Sequence, residues 1–362
     1  MKCLLAIPLL ACLAVPSQGA DAWRSFTTRK VPELAANEIQ FMVAEGETLW
    51  IGTLSGLTRH RDGKFAVVSE LVEEKQRHPE TGEWQVKEVK QKADRQITAL
   101  LKTGEGTHLV GTANGLYAME DLTLRTPVFE GRTVAPVLRV DEDTLWALAK
   151  NGGGKDTCTV YAHSGEEWEV VEAFAEKAVV DAKRTPDGRI WVVIDGDGVF
   201  EVSPDQGADE VTHHLAGLNV RSLMLDSQGR LWCGLWGRGV AMRTQEGEWT
   251  DHLEYEESAM LRLAEDASGT VWVGTSSAGL FRYDGQTWTN EFPEEGAISL
   301  LYPDSQGRVW VSTQSRGGLR CWEEGTWRRS LDNRLPMTCM AEHEGALWAG
   351  GVVDGIHVLE LE

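Results

Sequence analysis

Proline, tyrosine and basic residues are scarce in this chain of 362 residues. It has 11 prolines and 5 tyrosines, and its 35 lysine and arginine residues stand against 56 acidic ones, a formal net charge of −21. The low proline content argues against a disordered, Pro-rich chain. The negative charge repels phosphate backbones and anionic lipid surfaces, which argues against nucleic acid as a partner.

The chain also lacks closely spaced cysteines and the short motifs of several enzyme classes. Beyond the N-terminal region, Cys158, Cys233, Cys321 and Cys339 form no CxxC pair, which argues against a zinc ribbon or a thiol redox motif. We interpret them as small buried residues, with one disulfide as the alternative. There is no nucleophile elbow, phosphate loop or HExxH motif.

Long apolar runs are absent after the N-terminus, so the sequence predicts no transmembrane helix. The N-terminus "MKCLLAIPLLACLAVPSQGA" has one lysine, an apolar stretch from Leu4 to Val15, and small residues around Ser17-Gln18-Gly19. This pattern predicts a secretory signal peptide over residues 1–19 and a periplasmic or secreted protein. Lipid anchoring through Cys12 is the alternative, because Leu9 to Cys12 loosely resembles a lipobox.

Tryptophan and glycine are what the chain has in excess, with 15 and 38 copies. Seven similar sequence segments place an apolar residue directly before a tryptophan. An eighth segment has Leu109 at the position of the tryptophan. Consecutive anchors lie 37 to 59 residues apart, mostly near 40. A period near 40 with four short strands per repeat predicts a β-propeller. The seven tryptophan anchors are Trp50, Trp146, Trp191, Trp232, Trp272, Trp310 and Trp348.

Each repeat divides into four predicted strands. An apolar strand such as "VRSLMLD" is followed by an Asp-x-x-Gly hairpin turn, the tryptophan strand, and a short loop ending in glycine. A third strand comes next, and a fourth is marked by Trp249, Trp288 or Trp327. We therefore interpret the repeated Asp, Trp and Gly residues as structural, and not as catalysts or metal ligands.

The predicted fold is all-β, a single propeller over residues 20–362 with four antiparallel strands per blade. Eight anchors predict eight blades; seven is the alternative if the weak repeat at Leu109 or Trp146 is not a full blade. The last repeat lacks its fourth strand, and "DAWRSFTTRKV" near the N-terminus supplies one, which predicts closure of the ring by an N-terminal strand. A charged hairpin is predicted as an insertion at about residues 64–95.

The repeat resembles that of the two-component regulator propeller family, written "DxxGxLWxGTxxGLxR". The match is seen at Asp266, Gly269, Trp272, Gly274, Thr275, Gly279 and Leu280. Propellers of this family are often the extracytoplasmic sensor halves of hybrid histidine kinases, so the resemblance implies the fold and a sensing or binding role. No segment here resembles a kinase, a membrane span or a DNA-binding region, so signalling by this chain is not implied.

The candidate site lies in the loops between second and third strands, at the mouth of the propeller channel. Trp236 is an extra indole outside the repeat position, with Arg238 two residues later and Arg316 in a comparable loop. An exposed tryptophan near arginines is typical of a binding hot spot or a sugar-stacking platform. Trp236 packing over a neighbouring loop is the structural alternative. The same loops add Gln314, Asn114, Asp195 and Asp197 as further candidates.

The predicted function is non-catalytic binding of a carbohydrate, a small anion or a protein loop at this mouth. A glycan-active lyase or hydrolase is one alternative, and a purely structural scaffold is the other. Two acidic residues and one basic residue converging on the channel would favour the enzyme. Asp195 and Asp197 fit a calcium site less well than a polar turn, and His213-His214 lacks a third ligand, so we predict no metal and no cofactor.

Overall fold

The computed structural model describes residues 22–361 except 78–79, 81–83, 126, 151–156, 166, 176, 204–210, 256–258 and 294. The predicted signal peptide, Cys12 and most of the loop "KNGGGKDTC" lie outside these residues. Apart from one short 3-10 helix at Glu172–Phe174, the regular structure of the described residues is β-strand. None of their helices is long and apolar enough to cross a membrane.

The first half of the described chain runs through nineteen strands. They are β1 (Arg24–Phe26), β2 (Ile39–Glu45), β3 (Thr48–Thr53), β4 (Gly56–Arg61), β5 (Lys64–Val67), β6 (Ser69–Arg77), β7 (Trp84–Lys92), β8 (Ile97–Gly104), β9 (Thr107–Thr112), β10 (Gly115–Glu120), β11 (Thr123–Leu124), β12 (Val134–Arg139), β13 (Leu145–Lys150), β14 (Cys158–His163), β15 (Trp168–Val170), β16 (Val179–Arg184), β17 (Ile190–Ile194), β18 (Val199–Val202) and β19 (Val211–His214).

The second half continues with fifteen more strands. They are β20 (Val220–Leu225), β21 (Leu231–Leu235), β22 (Gly239–Arg243), β23 (Trp249–Glu254), β24 (Met260–Glu265), β25 (Val271–Thr275), β26 (Leu280–Tyr283), β27 (Trp288–Asn290), β28 (Ile298–Pro303), β29 (Val309–Thr313), β30 (Leu319–Glu323), β31 (Thr326–Leu331), β32 (Met337–His343), β33 (Ala346–Gly351) and β34 (Ile356–Glu360).

The described strands form seven sheets, each built mainly from strands that follow one another along the chain. One sheet has eight strands because a single pair, Cys158↔Val179, joins β14 to β16. Divided at that pair, the sheets give units 1 to 8: β2–β5, β8–β11, β12–β15, β16–β19, β20–β23, β24–β27, β28–β31, and β32–β34 with β1. The all-β propeller class is confirmed, while the closed eight-bladed ring stays a prediction.

The tryptophan strands are buried on both faces, as the repeat predicts. Every residue of β17, β21, β25 and β29 is buried. Each indole packs against the next unit: Trp232, for example, joins Met260 and Val273 in one apolar cluster. The glycine of the strand permits this approach, because a Cβ at Gly234 would lie 2.5 Å from the carbonyl oxygen of Met260.

The first strand of every unit carries a register shift after its opening residue, as between Val220 and Ser222 in β20. Such bulges bend a strand and turn a side chain out of the regular alternation. Hydroxyl groups at this place bond to the opening carbonyl of the next unit. Thr98 donates to Val134 over 2.6 Å, Ser222 to Met260 over 2.8 Å, and Thr338 to Ile39 over 2.9 Å.

The last unit meets the first through two kinds of contact, and β1 completes the last unit. Besides the Thr338–Ile39 bond, Trp348 packs in one cluster with Ile39 and Ile51 of unit 1. Strand β1 pairs antiparallel with β34, and Phe26 at its end stacks on Trp348 with ring centroids 6.2 Å apart. The N-terminal segment thus supplies the fourth strand of unit 8.

The region predicted as an insertion at about 64–95 contains two different structures. Lys64–Val67 pairs with β4 and is the fourth strand of unit 1, because its backbone continues the meander. The hairpin proper is β6 with β7, which joins unit 2 through a short parallel pairing between Ser69 and Thr123. Most of β7 is exposed, including Trp84 at its start.

No disulfide joins the four described cysteines. Burial raises the pKa of Cys233, Cys321 and Cys339 to about 12, so these thiols are protonated at neutral pH. Protonated buried thiols behave as small apolar residues. This is the packing role proposed for them from the sequence.

Candidate functional site

Trp236 stands apart from the indoles of the repeat. Its side chain is 58% exposed, whereas Trp232 and Trp272 are fully buried. Its backbone N–H donates to the carbonyl of Asn219 over 2.9 Å, and it forms an isolated bridge with Ala259 of unit 6. The fold therefore fixes the backbone of this loop and leaves the indole in solvent.

Arg221 covers the indole of Trp236. It is the exposed second residue of β20, and its guanidinium carbon lies 5.4 Å from the ring centroid. A guanidinium over an indole is a cation–π contact, and it holds the ring in a defined orientation. The sequence interpretation missed Arg221; the signal was a lone charge in the otherwise apolar segment "VRSLML".

Arg238, predicted as the partner of Trp236, is engaged elsewhere. Its Nη2 donates to Oδ2 of Asp251 on β23 over 2.7 Å, and this bond and charge raise its pKa. Both side chains are exposed, so the pair contributes little to stability. A ligand that used Arg238 would have to compete with Asp251.

Arg316 and Gln314 lie in the loop after β29. Arg316 is 3.3 Å from the buried carboxylate of Glu295, which Arg320 also approaches at 2.6 Å. The backbone N–H of Gln314 donates to the carbonyl of Ala297 over 2.9 Å. Two guanidiniums thus share one carboxylate, and the three side chains together carry a net positive charge.

The remaining candidates are held by local turn contacts. The N–H of Asn114 donates to the hydroxyl of Thr112, and that of Asp195 donates to the carbonyl of Ala178. Oδ1 of Asp197 accepts from the backbone of Gly217 over 3.3 Å and lies 3.4 Å from Nε2 of His213. In the described chain Asp195 and Asp197 share no three-ligand cluster of His, Cys, Asp or Glu.

A second arginine, Arg262, lies on β24, the first strand of unit 6. Its surface is accessible to solvent, yet burial among protein atoms lowers the pKa of its guanidinium. Neither Arg221 nor Arg262 forms an ion pair with any described residue, so both charges are available in a strongly acidic protein.

The first strands of units 1 to 4 line a largely apolar cavity. A cavity of about 500 Å³ opens between the first strands of units 1 to 4 and is lined by Phe41, Val43, Leu100 and Val137, among others. Its acidic lining residue is Asp181, whose pKa is raised by burial despite the nearby Lys183. The first strands of units 5 and 6 thus carry exposed arginines, and those of units 1 to 4 line a largely apolar cavity with one carboxyl group.

Residues 214–237 match the family described as "Two component regulator propeller". The match covers the turn, the tryptophan strand and Trp236 itself in unit 5, and it confirms the resemblance seen in the sequence. The chain therefore carries a repeat of this family. No curated protein sequence matches it.

Solved structures share the fold at low sequence identity. BamB from Moraxella catarrhalis is 12% identical with a TM-score of 0.63, over 95% of this chain and 98% of its own. The extracellular domain of a one-component system from B. thetaiotaomicron is 16% identical with a TM-score of 0.50, over 92% of this chain and 52% of its own. This chain therefore spans about half the length of that extracellular domain.

Virginiamycin B lyase from Staphylococcus aureus is another similar structure. It is 11% identical with a TM-score of 0.52, and the match covers 94% of this chain and 99% of the lyase. The extracellular domain of a one-component system and an enzyme thus share this architecture, so the fold alone does not determine a function.

Proposed function

We propose that this protein is a non-catalytic recognition module that binds a carboxylate-bearing ligand at the mouth of its propeller channel. The observation that carries the proposal is Trp236, an indole that the fold does not bury and that Arg221 holds in place at 5.4 Å. A flat apolar surface beside directed donors is the composition of a binding hot spot.

The charge distribution favours an anionic ligand. Arg221 and Arg262 lie on neighbouring first strands and have no carboxylate partner among the described residues. Arginine presents paired N–H donors that match the geometry of a carboxylate. Because the whole chain carries a net charge of −21, these two guanidiniums form a local exception that would attract an anion.

A carboxylate reaches such a site either on an acidic saccharide or on an acidic peptide segment. The experiment therefore screens uronate-containing oligosaccharides and Asp/Glu-rich peptides separately, with thermal shift followed by calorimetric titration. A true ligand raises the melting temperature by mass action. Binding confined to the saccharides identifies a glycan receptor, and binding confined to the peptides identifies a protein-interaction module.

The chain offers a matched control for Trp236. Trp84 is 66% exposed on the hairpin, and the guanidinium of Arg77 lies 5.4 Å above its ring. We expect Trp236→Ala and Arg221→Ala to lose affinity about tenfold or more while melting normally. Trp84→Ala and Arg77→Ala should bind as the parent does. A loss of affinity in Trp84→Ala and Arg77→Ala alone would contradict a site at Trp236 and would place binding on the hairpin.

A glycan-active enzyme is a second candidate because of Asp181. A carboxyl group with a raised pKa in a 500 Å³ cavity is suited to general acid or base chemistry. The charged group that acts on it is Lys183 of the same strand, and no second carboxylate lines this cavity among the described residues. Turnover of a uronate oligosaccharide that Asp181→Asn abolishes would favour the enzyme over the recognition module.

We also propose that the protein acts outside the cytoplasm, because its N-terminus has the pattern of a signal peptide. Cell fractionation distinguishes the compartments. A Cys12→Ala variant that moves from the membrane to the soluble exported fraction would establish the lipid-anchored form.

A further inference from the structure

Two histidines and a glutamate meet where the last unit packs against the first. His60 lies on β4 of unit 1, His343 ends β32 of unit 8, and Glu344 follows in the turn. One ligand atom of each lies within 4.8 Å of the others, and Nε2 of His343 is 3.7 Å from a carboxylate oxygen of Glu344.

The two imidazoles are buried, and three of their four ring nitrogens have no hydrogen-bond partner among the described residues. His60 is 5% and His343 is 4% exposed, yet Nδ1 of His60 and both ring nitrogens of His343 have no partner among the described residues. Buried polar atoms are nearly always paired, so three unpaired nitrogens at one place require an explanation. His357, 7% exposed in the same unit, bonds Ser25 through one nitrogen and Asp354 through the other.

We propose that His60, His343 and Glu344 form a binding site for a divalent transition-metal ion of the zinc type. Imidazole nitrogen and carboxylate oxygen are ligands that zinc prefers, at about 2.0–2.2 Å. Tetrahedral ligands at that radius are about 3.4 Å apart, so the His343–Glu344 separation is already close to the required one. Water completes the fourth position.

The surroundings of the two histidines favour uncharged imidazole rings. Burial lowers the pKa of both histidines, which keeps the rings in the uncharged form that binds metal. Aromatic rings cover the site: Trp348 lies 4.6 Å and Phe65 4.8 Å from the ring of His60. Glu344 is exposed, so an ion can reach the site from solvent past this side chain. The carboxylate also offsets part of the charge of the ion.

The position of the site between the first and last units predicts a structural role for the ion. His60 belongs to the first unit and His343 and Glu344 to the last, so a bound ion would link the two ends of the repeat array. An ion that binds the folded chain and not the unfolded one stabilises the fold by mass action. The proposed ion is thus a structural link across the seam, separate from the recognition site at Trp236.

The experiment uses tag-free mature protein dialysed against EDTA, with Zn²⁺ and Co²⁺ as probes. Zn²⁺ binding is measured by equilibrium dialysis with metal analysis, and Co²⁺ by its visible absorption, which reports tetrahedral coordination. The exposed Glu344 permits Glu344→Gln without loss of the fold. Its control is Glu324→Gln, because Glu324 occupies a similar Glu-Gly turn with φ of 50° against 49° for Glu344.

We expect the parent and Glu324→Gln to bind one Zn²⁺ per chain and to melt at a higher temperature with it. Glu344→Gln should bind about tenfold or more weakly, and His343→Gln should lose the Co²⁺ spectrum. If the parent binds no stoichiometric Zn²⁺, or if Glu344→Gln and Glu324→Gln bind it equally, the proposal is wrong and the histidines are only packed among aromatic rings. Neither outcome bears on ligand binding at Trp236.

Discussion

The indole nitrogen of Trp232 donates a hydrogen bond over 2.7 Å to Oδ2 of Asp226, six residues earlier in the chain. The other oxygen of Asp226 accepts from the backbone of Gln228 and Arg230 in the hairpin turn. One carboxylate therefore joins the turn to the indole that fills the space between two units. The same bond recurs between Asp266 and Trp272 over 2.7 Å and between Asp304 and Trp310 over 2.8 Å.

This bond predicts that Asp266→Ala destabilises the protein strongly. The substitution removes the acceptor of a buried indole N–H and of two backbone N–H groups in the turn. Loss of such charged hydrogen bonds costs about 1.5–3 kcal/mol of the free energy of unfolding. Trp272→Ala, which leaves a cavity as well, should cost about 3–5 kcal/mol. Urea unfolding of each variant measures these differences.

Asp284 is the matched control for Asp266. It accepts from the backbone of Gln286 and Thr287 in an exposed turn, and no indole among the described residues bonds to it. Asp284→Ala should therefore change the free energy of unfolding much less than Asp266→Ala. Equal effects would mean that turn geometry, and not the bond to Trp272, makes the repeated aspartate necessary.

The sequence predicted the all-β propeller because its strands repeat with the same turn and the same tryptophan. It did not predict the carboxylate–indole bond, although the spacing of six residues in three repeats was the available signal. In the sequence pattern Asp is typical of a turn and Trp of a packed strand, and neither role requires the other.

The candidate site was predicted only in part, for a physical reason. The position of Trp236 outside the repeat indicated an exposed indole, and the structure shows one. The arginine that lies over this indole cannot be identified from the sequence, because nearby carboxylates in the folded chain bind some of the arginines. Arg238 pairs with Asp251 on β23. Arg221, which lies on β20 and outside the loop of Trp236, is the residue over the ring. His60 and His343 are 283 positions apart, so only the meeting of the two chain ends brings them together.

Removal of residues 20–30 should lower the stability of the whole protein. It deletes β1, uncovers the edge of β34, and removes Phe26 from Trp348. We expect the melting temperature to fall by several degrees. The single substitution Phe26→Ala should show part of this loss, whereas Arg24→Ala, on the same strand but exposed, should show little. A truncated protein that melts within about one degree of the parent would argue against closure by this strand.

Acidification should destabilise the protein before its carboxylates are protonated. Burial and the charge of Arg230 lower the pKa of His252, whose Nδ1 accepts from the indole of Trp288 over 3.2 Å. The unfolded chain therefore takes up this proton first as the pH falls through about 6.5, and the free energy of unfolding decreases below that pH. Burial lowers the pKa of His214 as well, so it acts in the same direction.

His252→Gln tests this assignment, because glutamine keeps an acceptor for Trp288 but does not titrate. Urea unfolding at about pH 8 and about pH 5.5 gives the change in stability for parent and variant. The variant should lose less stability over this range than the parent does. An identical loss in both would assign the pH dependence to other groups.

The fourth repeat departs from the carboxylate–indole bond in a way that predicts a stabilising substitution. Thr185 stands six residues before Trp191, in the place of Asp226, and the buried Nε1 of Trp191 has no hydrogen-bond partner among the described residues. Arg189 follows Thr185 by four residues, just as Arg230 follows Asp226 and bonds its carboxylate over 2.6 Å. The fourth repeat therefore lacks the carboxylate that would accept from the indole, but it keeps the arginine that pairs with this carboxylate in unit 5.

Thr185→Asp should therefore raise the free energy of unfolding by about 0.5–2 kcal/mol, the usual gain from restoring a repeat consensus. The new carboxylate would accept from the Trp191 indole and attract Arg189, which at present pairs with Asp187 and Glu201. The opposing effect is repulsion from Asp187, and Arg189 lies close enough to offset it. Thr185→Asn is the control, because it supplies an acceptor without the charge and should give a smaller gain. If Thr185→Asp unfolds at a lower urea concentration than the parent, repulsion from Asp187 outweighs the bond to Trp191.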